Sequence, residues 1–220
     1  MKKILATLLL ISGLSCDSKK EYDFTTVFEK TKGFETATYS QTINFYKNLA
    51  KKYNTISIDS IGATDSGKPL HIVTFNKAAN FNFETIRNTK RTILINNGIH
   101  PGESDGIDAT MMLYRDLANG KINTPKNTVL TTIPIYNIGG SLNRNSHSRT
   151  NQNGPKSYGF RGNARNYDLN RDFIKTDTKN AKTFAEIFHL IQPDVFIDNH
   201  VSNGADYQYT LTHLFTQHNK

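Results

Sequence analysis

The sequence predicts an α/β fold with a mixed, largely parallel central sheet flanked by helices. Short apolar or alternating runs near 56–58, 70–75, 91–95, 128–136 and 194–198 have the length of strands. Stretches with helical periodicity at 107–117 and 179–191 separate the later runs. Strands that alternate with helices build a largely parallel sheet, and such sheets place their binding sites in the crevice beyond the carboxyl ends of the strands.

At the N-terminus, Lys2 and Lys3 precede an apolar run from Ile4 to Ile11, small residues at Ser12, Gly13 and Ser15, and then Cys16. The run is too short to span a bilayer and has the layout of an export signal. Cys16 stands where cleavage would expose it, so the segment resembles a bacterial lipoprotein signal. That resemblance implies a signal peptide over 1–16, lipidation of Cys16, and an exported protein anchored to a membrane, periplasmic or at the cell surface. Gly13 stands where such signals usually carry an aliphatic residue, with Leu14 displaced by one position. Ordinary secretion with a free thiol is the alternative.

Cys16 is the single cysteine of the 220-residue chain. Disulfides cannot staple the mature domain, a thiolate metal site is excluded, and any metal falls to His and carboxylate ligands. The net charge is +8, yet the basic residues are dispersed with no Lys/Arg-rich tract, so nucleic acid is not an expected partner.

Residues 17–41 are polar with scattered aromatics and read as a tether, which leaves 42–220 as one domain. That domain is expected to open with a helix over about 42–53, where Ile43, Tyr46, Leu49 and Ala50 recur at helical spacing. Ile56 and Ile58, then Leu70, Ile72 and Phe75, flank a turn-rich stretch from Gly62 to Pro69, the pattern of a β-hairpin. The strand at 91–95 stops at Asn96, Asn97 and Gly98, and a helix follows through Ala109, Met112, Leu113 and Leu117. The Asn-, Gly- and Arg-rich stretch 137–171 reads as one long loop, a length that in a compact domain points to function.

Chemistry concentrates after the strands. His100, Pro101, Gly102 and Glu103 place an imidazole and a carboxylate three positions apart in a tight loop. The HxxE spacing is common by chance, and its place directly after a strand is what carries weight. His200 stands just past another strand end. Two His and one Glu leave tetrahedral zinc an open position for water, which is a hydrolase geometry. Blander readings exist for the neighbours: Asp168 as a helix cap, Asn170 and Arg171 as a surface turn, His189 as helix packing. His71, His147, His213 and His218 lack a carboxylate at ligand spacing and are left out of the metal site.

The HPGE segment at 100–103, YDLNRDF at 167–173, the late strand leading to His200 and the hairpin SIGATDSGKPLHIVTF at 60–75 together resemble the zinc carboxypeptidase family, from about residue 42 to the C-terminus. The resemblance implies a metallocarboxypeptidase that removes C-terminal residues from peptides with a free terminal carboxylate, using water activated by a single zinc ion. His100, Glu103 and His200 become the zinc ligands. Asp168 becomes the carboxylate that accepts the other ring N–H of His100. Asn170 and Arg171 match the pair that binds the terminal carboxylate. An Arg from the preceding loop stabilises the oxyanion in this family; spacing favours Arg149, with Arg144 the alternative.

The pattern breaks in two places. Gly102 stands where digestive carboxypeptidases carry an Arg, so their substrate preference does not transfer. The family's general-base Glu and mobile Tyr lie several tens of residues after the third ligand. Residues 201–220 hold no Glu, and Tyr207 and Tyr209 are too near His200. The expectation is therefore a domain incomplete at its C-terminus, with an exposed sheet edge and impaired or absent peptidase activity. Two rivals stand beside it: an N-acyl amino acid deacylase or other amidase on the same fold, and a non-catalytic, surface-anchored module that captures peptide or glycan ends.

Overall fold

The computed structural model describes residues 22–124, 126–202, 204–205 and 207–215. The expected signal peptide 1–16, with Cys16, lies outside the described residues, as do the first residues of the expected tether. No described helix is long and apolar enough to cross a membrane.

Local chemistry sets the helix starts. A single turn α1 (Val27–Lys30) and the longer α2 (Tyr39–Lys52) each begin with a reciprocal cap, Thr26 with Glu29 and Thr38 with Gln41. The second helix buries Ile43, Tyr46 and Leu49, the residues whose spacing predicts it. The hairpin forms as β1 (Ile56–Ala63) and β2 (Pro69–Phe75), paired antiparallel. Next come α3 (Phe83–Thr89), capped by Asn82, β3 (Arg91–Asn96), α4 (Asp105–Ala118) and β4 (Thr128–Ile133). The stretch read as one long loop contains α5 (Ile138–Leu142), the two-residue strands β5 (Arg144–Asn145) and β6 (Tyr158–Gly159), and a 3₁₀ turn at Leu169–Arg171. α6 (Lys179–Ile191) and β7 (Val195–Asp198) complete the described elements.

The tether needs correction from Tyr22 onward. Phe24, Thr26, Thr36 and Ala37 are buried. Arg115 of α4 donates to the Phe24 carbonyl at 3.1 Å and to Glu29 at 2.7 Å, and Thr36 bonds the buried Asp108 of the same helix. Of the polar residues that suggest a solvated linker, Glu29 and Thr36 are instead bonded to α4, and Phe24 joins the core while Phe28 and Phe34 stay exposed.

The main sheet has the order β1-β2-β4-β3-β7. The hairpin side is antiparallel, while β3 pairs parallel with both β4 and β7. Helices α2 and α4 pack together, as do α3 and α6. Every residue of β2 from Leu70 to Phe75 is buried, so this strand is covered on both faces. In the parallel part of the sheet, Asn96 of β3 lies opposite both Ile133 of β4 and Asp198 of β7. Three parallel strands thus end at one level, and the segments leaving β3 and β7 start side by side. Among the described residues β7 is an edge strand, with Val195, Phe196 and Ile197 each 38–48% exposed.

Candidate metal centre

The loop after β3 is shaped to turn two side chains the same way. Gly98 adopts φ +65°, a conformation that suits glycine. The Glu103 N–H donates to the His100 carbonyl at 2.8 Å, closing a tight turn before α4. Both side chains are buried. His200, two residues beyond the end of β7, reaches them from the neighbouring strand.

The three residues meet. His100 Nδ1 lies 3.2 Å from Glu103 Oε1, and His200 Nδ1 lies 3.0 Å from Glu103 Oε2. One potential ligand atom from each falls within 4.8 Å of the others. The Val201 N–H also donates to Glu103 Oε2, at 3.1 Å.

Behind the triad, each imidazole has its own carboxylate. His100 Nε2 is 3.0 Å from Asp168 Oδ1, and His200 Nε2 is 3.1 Å from Asp198 Oδ2. Asp168 also caps the 3₁₀ turn by accepting from the Asn170 N–H at 3.0 Å, so the bland capping role and the contact with His100 coexist. The partnership of Asp198 is absent from the sequence reading. Its signal was available: residues two apart at a strand end point to the same side. Asn96 donates to the other Asp198 oxygen at 2.9 Å. Asp168 has a comparable partner in Arg161, whose Nε and Nη2 lie 3.0 and 2.9 Å from Oδ2. Arg161 Nη1 also comes within 3.5 Å of His100 Nδ1.

The electrostatics derive from these contacts. Burial raises the affinity of Glu103 for a proton, but hydrogen bonds from His100, His200 and the Val201 N–H outweigh it and hold the carboxyl well below the usual range. Hydrogen bonds to Asp198 and Glu103 push His200 up to about 9 against the opposing effect of burial. Asp168 is also lowered: burial opposes, and the bonds from His100, the Asn170 N–H and Arg161 prevail.

Of the two arginines weighed for the oxyanion role, Arg149 reaches the centre and Arg144 does not. Arg149 Nη1 is 3.0 Å from Glu103 Oε1, and its Nε donates to Gln152 Oε1 at 2.8 Å. Gln152 in turn donates to the Gly102 carbonyl at 2.9 Å. Arg144 bonds the carbonyls of Thr36, Ala37 and Ser157 instead. Gly102 is without a side chain for a spatial reason: a Cβ there would sit 2.7 Å from Arg149 Cδ and 2.8 Å from the Gly159 carbonyl oxygen. Asn170 shares the turn with Asp168, while Arg171 is exposed and folds its guanidinium onto the Asn170 carbonyl at 2.9 Å. A cavity of about 600 Å³ opens beside the centre, lined in part by Ser104, Asp105, Asp108, Gln152, Val201 and Ser202.

Two imidazole nitrogens and one carboxylate converge, and the outward ring nitrogens are tied to carboxylates. That donor set, with oriented imidazoles, fits zinc.

Comparison with known proteins agrees. Residues 42–194 match the sequence family described as zinc carboxypeptidase. The structure is similar to a metallo-carboxypeptidase from Burkholderia cenocepacia, with a TM-score of 0.59 and 20% identity over 79% of this chain and 43% of that one. A metallo-carboxypeptidase from Pseudomonas aeruginosa, solved in complex with (2-guanidinoethylmercapto)succinic acid, gives a TM-score of 0.57 and 14% identity over 78% of this chain and 42% of that one. Bovine thrombin-activatable fibrinolysis inhibitor, solved with tick carboxypeptidase inhibitor, gives 0.58 and 15% over 76% and 61%. At these identities the likeness is one of fold. The chain spans about two fifths of the length of the two bacterial structures. No curated protein matches the sequence.

Proposed function

This chain belongs to the zinc carboxypeptidase family, and from that premise we propose that it acts on peptides with a free terminal carboxylate, removing their C-terminal residues at a single zinc ion held by His100, Glu103 and His200. The observation that carries this reading is the convergence of both Nδ1 atoms on the two oxygens of Glu103. When bound, zinc supplies a Lewis acid for the scissile carbonyl and acidifies a bound water.

The chain's own residues prepare that site. Asp168 and Asp198 hold a proton on each Nε2, which leaves each Nδ1 lone pair for the metal. Arg149, positioned by Gln152, offers a fixed donor at the rim of the triad where negative charge develops on the substrate oxygen. Asn170 and Arg171 receive the terminal carboxylate; the exposed guanidinium exchanges its bond to a backbone carbonyl for a charge-assisted, two-pronged one.

One observation favours a second reading, that of a metal-holding binding module without turnover. The carboxylates that touch the triad histidines, Glu103, Asp168 and Asp198, are each bound to imidazole. None is free to take a proton from water, a transfer worth about 10²- to 10⁴-fold in rate. An assay on one peptide with a free and with an amidated C-terminus, in the presence of zinc, separates the readings. Release of the last residue from the free form alone, lost in His200→Ala, supports the peptidase. Retention of the free-carboxylate peptide without release supports the binding module, and release from acyl amino acids alone points to an amidase. Export and anchoring through Cys16 belong to the same proposal, on the strength of the pattern at 1–16; incorporation of labelled lipid that Cys16→Ser abolishes is its test.

A further inference from the structure

We propose that the end of the sheet opposite the metal centre is a docking face for an anionic phospholipid surface, built from lysines and arginines that are scattered in the sequence and gathered by the fold. The inference extends the reading of Cys16 as a lipid anchor and is tested apart from it.

Strand direction places the residues. The start of β1, the end of β2 and the starts of β3, β4 and β7 lie at one level: Ile56 is opposite Phe75, Phe75 opposite Leu130, Arg91 opposite Thr128, and Val195 opposite Ile93. Lys77 follows the end of β2, Lys126 precedes β4, Arg91 opens β3, and Lys90 ends α3. Lys51 and Lys52 close α2, which delivers the chain to β1. Hydrogen bonds join these pieces. The Asn76 N–H donates to the Thr55 carbonyl at 3.0 Å, Lys90 Nζ to Asn76 Oδ1 at 2.8 Å, and the Arg91 N–H to the Asn127 carbonyl at 2.7 Å.

Cations are in excess at this level. Lys51, Lys52, Lys77, Arg91 and Lys126 are exposed. Nearby acids are taken up in ion pairs, Glu29 and Asp116 with Arg115 and Asp194 with Arg91, and Glu84 at the start of α3 offsets one charge. Helix ends attract cations on their own account, but Lys77 and Lys126 sit beside strands. The metal centre follows the other ends of β3 and β7, and β3 rises about 3.3 Å per residue, which sets the two levels roughly 17 Å apart.

The N-terminal segment leaves from the same end. Tyr22 stacks on Phe24, whose ring lies 6.1 Å from that of Tyr53, the residue that ends α2. Lys52 Nζ is 5.5 Å from both the Phe24 and the Tyr53 ring. The chain between Tyr22 and Cys16 can reach about 20 Å at most, so an anchor at Cys16 keeps this face near the bilayer. The anchor limits distance without fixing orientation. Cations facing anionic head groups fix it, each strengthening binding about 5-fold near the surface, and the metal centre is then turned to solution.

The test is sedimentation of the full chain carrying Cys16→Ser, so that no attached lipid contributes, with vesicles of phosphatidylcholine alone or mixed with phosphatidylglycerol. The ratio of the two partition coefficients cancels any apolar contribution of residues 1–15. The chain is expected to favour the anionic vesicles at low salt and to lose that preference in about 0.5 M salt. Lys51→Gln, Lys77→Gln and Lys126→Gln together are expected to lower the preference about 100-fold. The control removes equal charge at the opposite end, where α6 starts beside the β1–β2 turn and the Asp65 N–H donates to Asn180 at 3.1 Å. There Lys175→Gln, Lys179→Gln and Lys182→Gln together are expected to leave the preference unchanged. No preference for anionic vesicles, or equal losses in the two triple variants, overturns the proposal. Tighter binding of the same face to a random-sequence DNA duplex than to the vesicles also overturns it. Lipid labelling of the chain with Cys16 intact reads the anchor separately. Absence of label with the vesicle preference retained removes the anchor alone, and label without the preference removes the docking face alone.

Discussion

Asp198 and His200 face each other across 3.1 Å at the end of β7, and the bond gives the late histidine an orienting carboxylate comparable to the one Asp168 supplies to His100. In the metal-free protein the same contact, with Glu103, raises His200 from 6.5 to about 9. A raised histidine stabilises the folded state fully below its unfolded value, and the contribution is lost as pH rises through the folded one. Metal-free protein is therefore expected to lose thermal stability between pH 6.5 and about 9. Asp198→Asn is expected to flatten that loss and to weaken zinc binding about 10- to 100-fold. Melting curves in chelator across that range and a zinc titration at pH 7 check both.

Arg149 occupies the space that a side chain at Gly102 would need, with its Cδ 2.7 Å from the missing Cβ. Gly102→Ala is expected to displace the arginine from Glu103, since the Gly159 carbonyl on the other side is backbone and cannot yield easily. If the protein turns over peptide, removing one oxyanion donor lowers kcat by about 10²- to 10³-fold. Gly102→Ala should approach the defect of Arg149→Ala, and combining the two should add little. A Gly102→Ala variant with wild-type kcat contradicts the placement.

Asp108 lies apart from the triad histidines, buried on α4 between Thr36 and Ala37. Burial pushes its carboxyl from 3.8 up to about 6, partly offset by the bonds from Thr36 and Ala37 and by Arg144, with the charge of Asp105 adding to the rise. For an acid raised in this way stability is highest below pH 3.8 and falls as pH rises through 6. Asp108→Asn removes the titration while keeping an acceptor and a donor in place. Its stability relative to wild type is expected to be near zero at pH 4 and to reach about 3 kcal/mol in its favour at pH 7. Urea unfolding at the two pH values measures the difference.

Where burial and periodicity agree, the fold was legible from the sequence. The apolar spacing of 179–191 gives α6 at Lys179–Ile191, and the alternation around Gly62–Pro69 gives the β1–β2 hairpin. The short α3 escaped notice because it buries only Phe83 and Ile86, too few to show a period. The segment around Phe24 looked like a linker because the α4 partners of the Phe24 carbonyl, Glu29 and Thr36 lie far along the chain. At the site, His100, Glu103, His200, Asp168 and Arg149 could be named from motif and position, and the structure brings them into contact. Asp198 and Arg161 were missed for different reasons. Asp198 reads as an ordinary strand end, and Arg161 meets Asp168 only through the path of an irregular loop. Arg171 carries the opposite lesson, since its motif is plain while its guanidinium rests on its own turn.

Zinc stoichiometry, with X-ray absorption at the zinc edge, tests whether His100, Glu103 and His200 hold the metal. One zinc per chain is expected, bound by nitrogen and oxygen with two imidazoles, with loss of stoichiometric zinc on substituting His100, Glu103 or His200 with Ala. Full zinc occupancy in the variant lacking all three would contradict it.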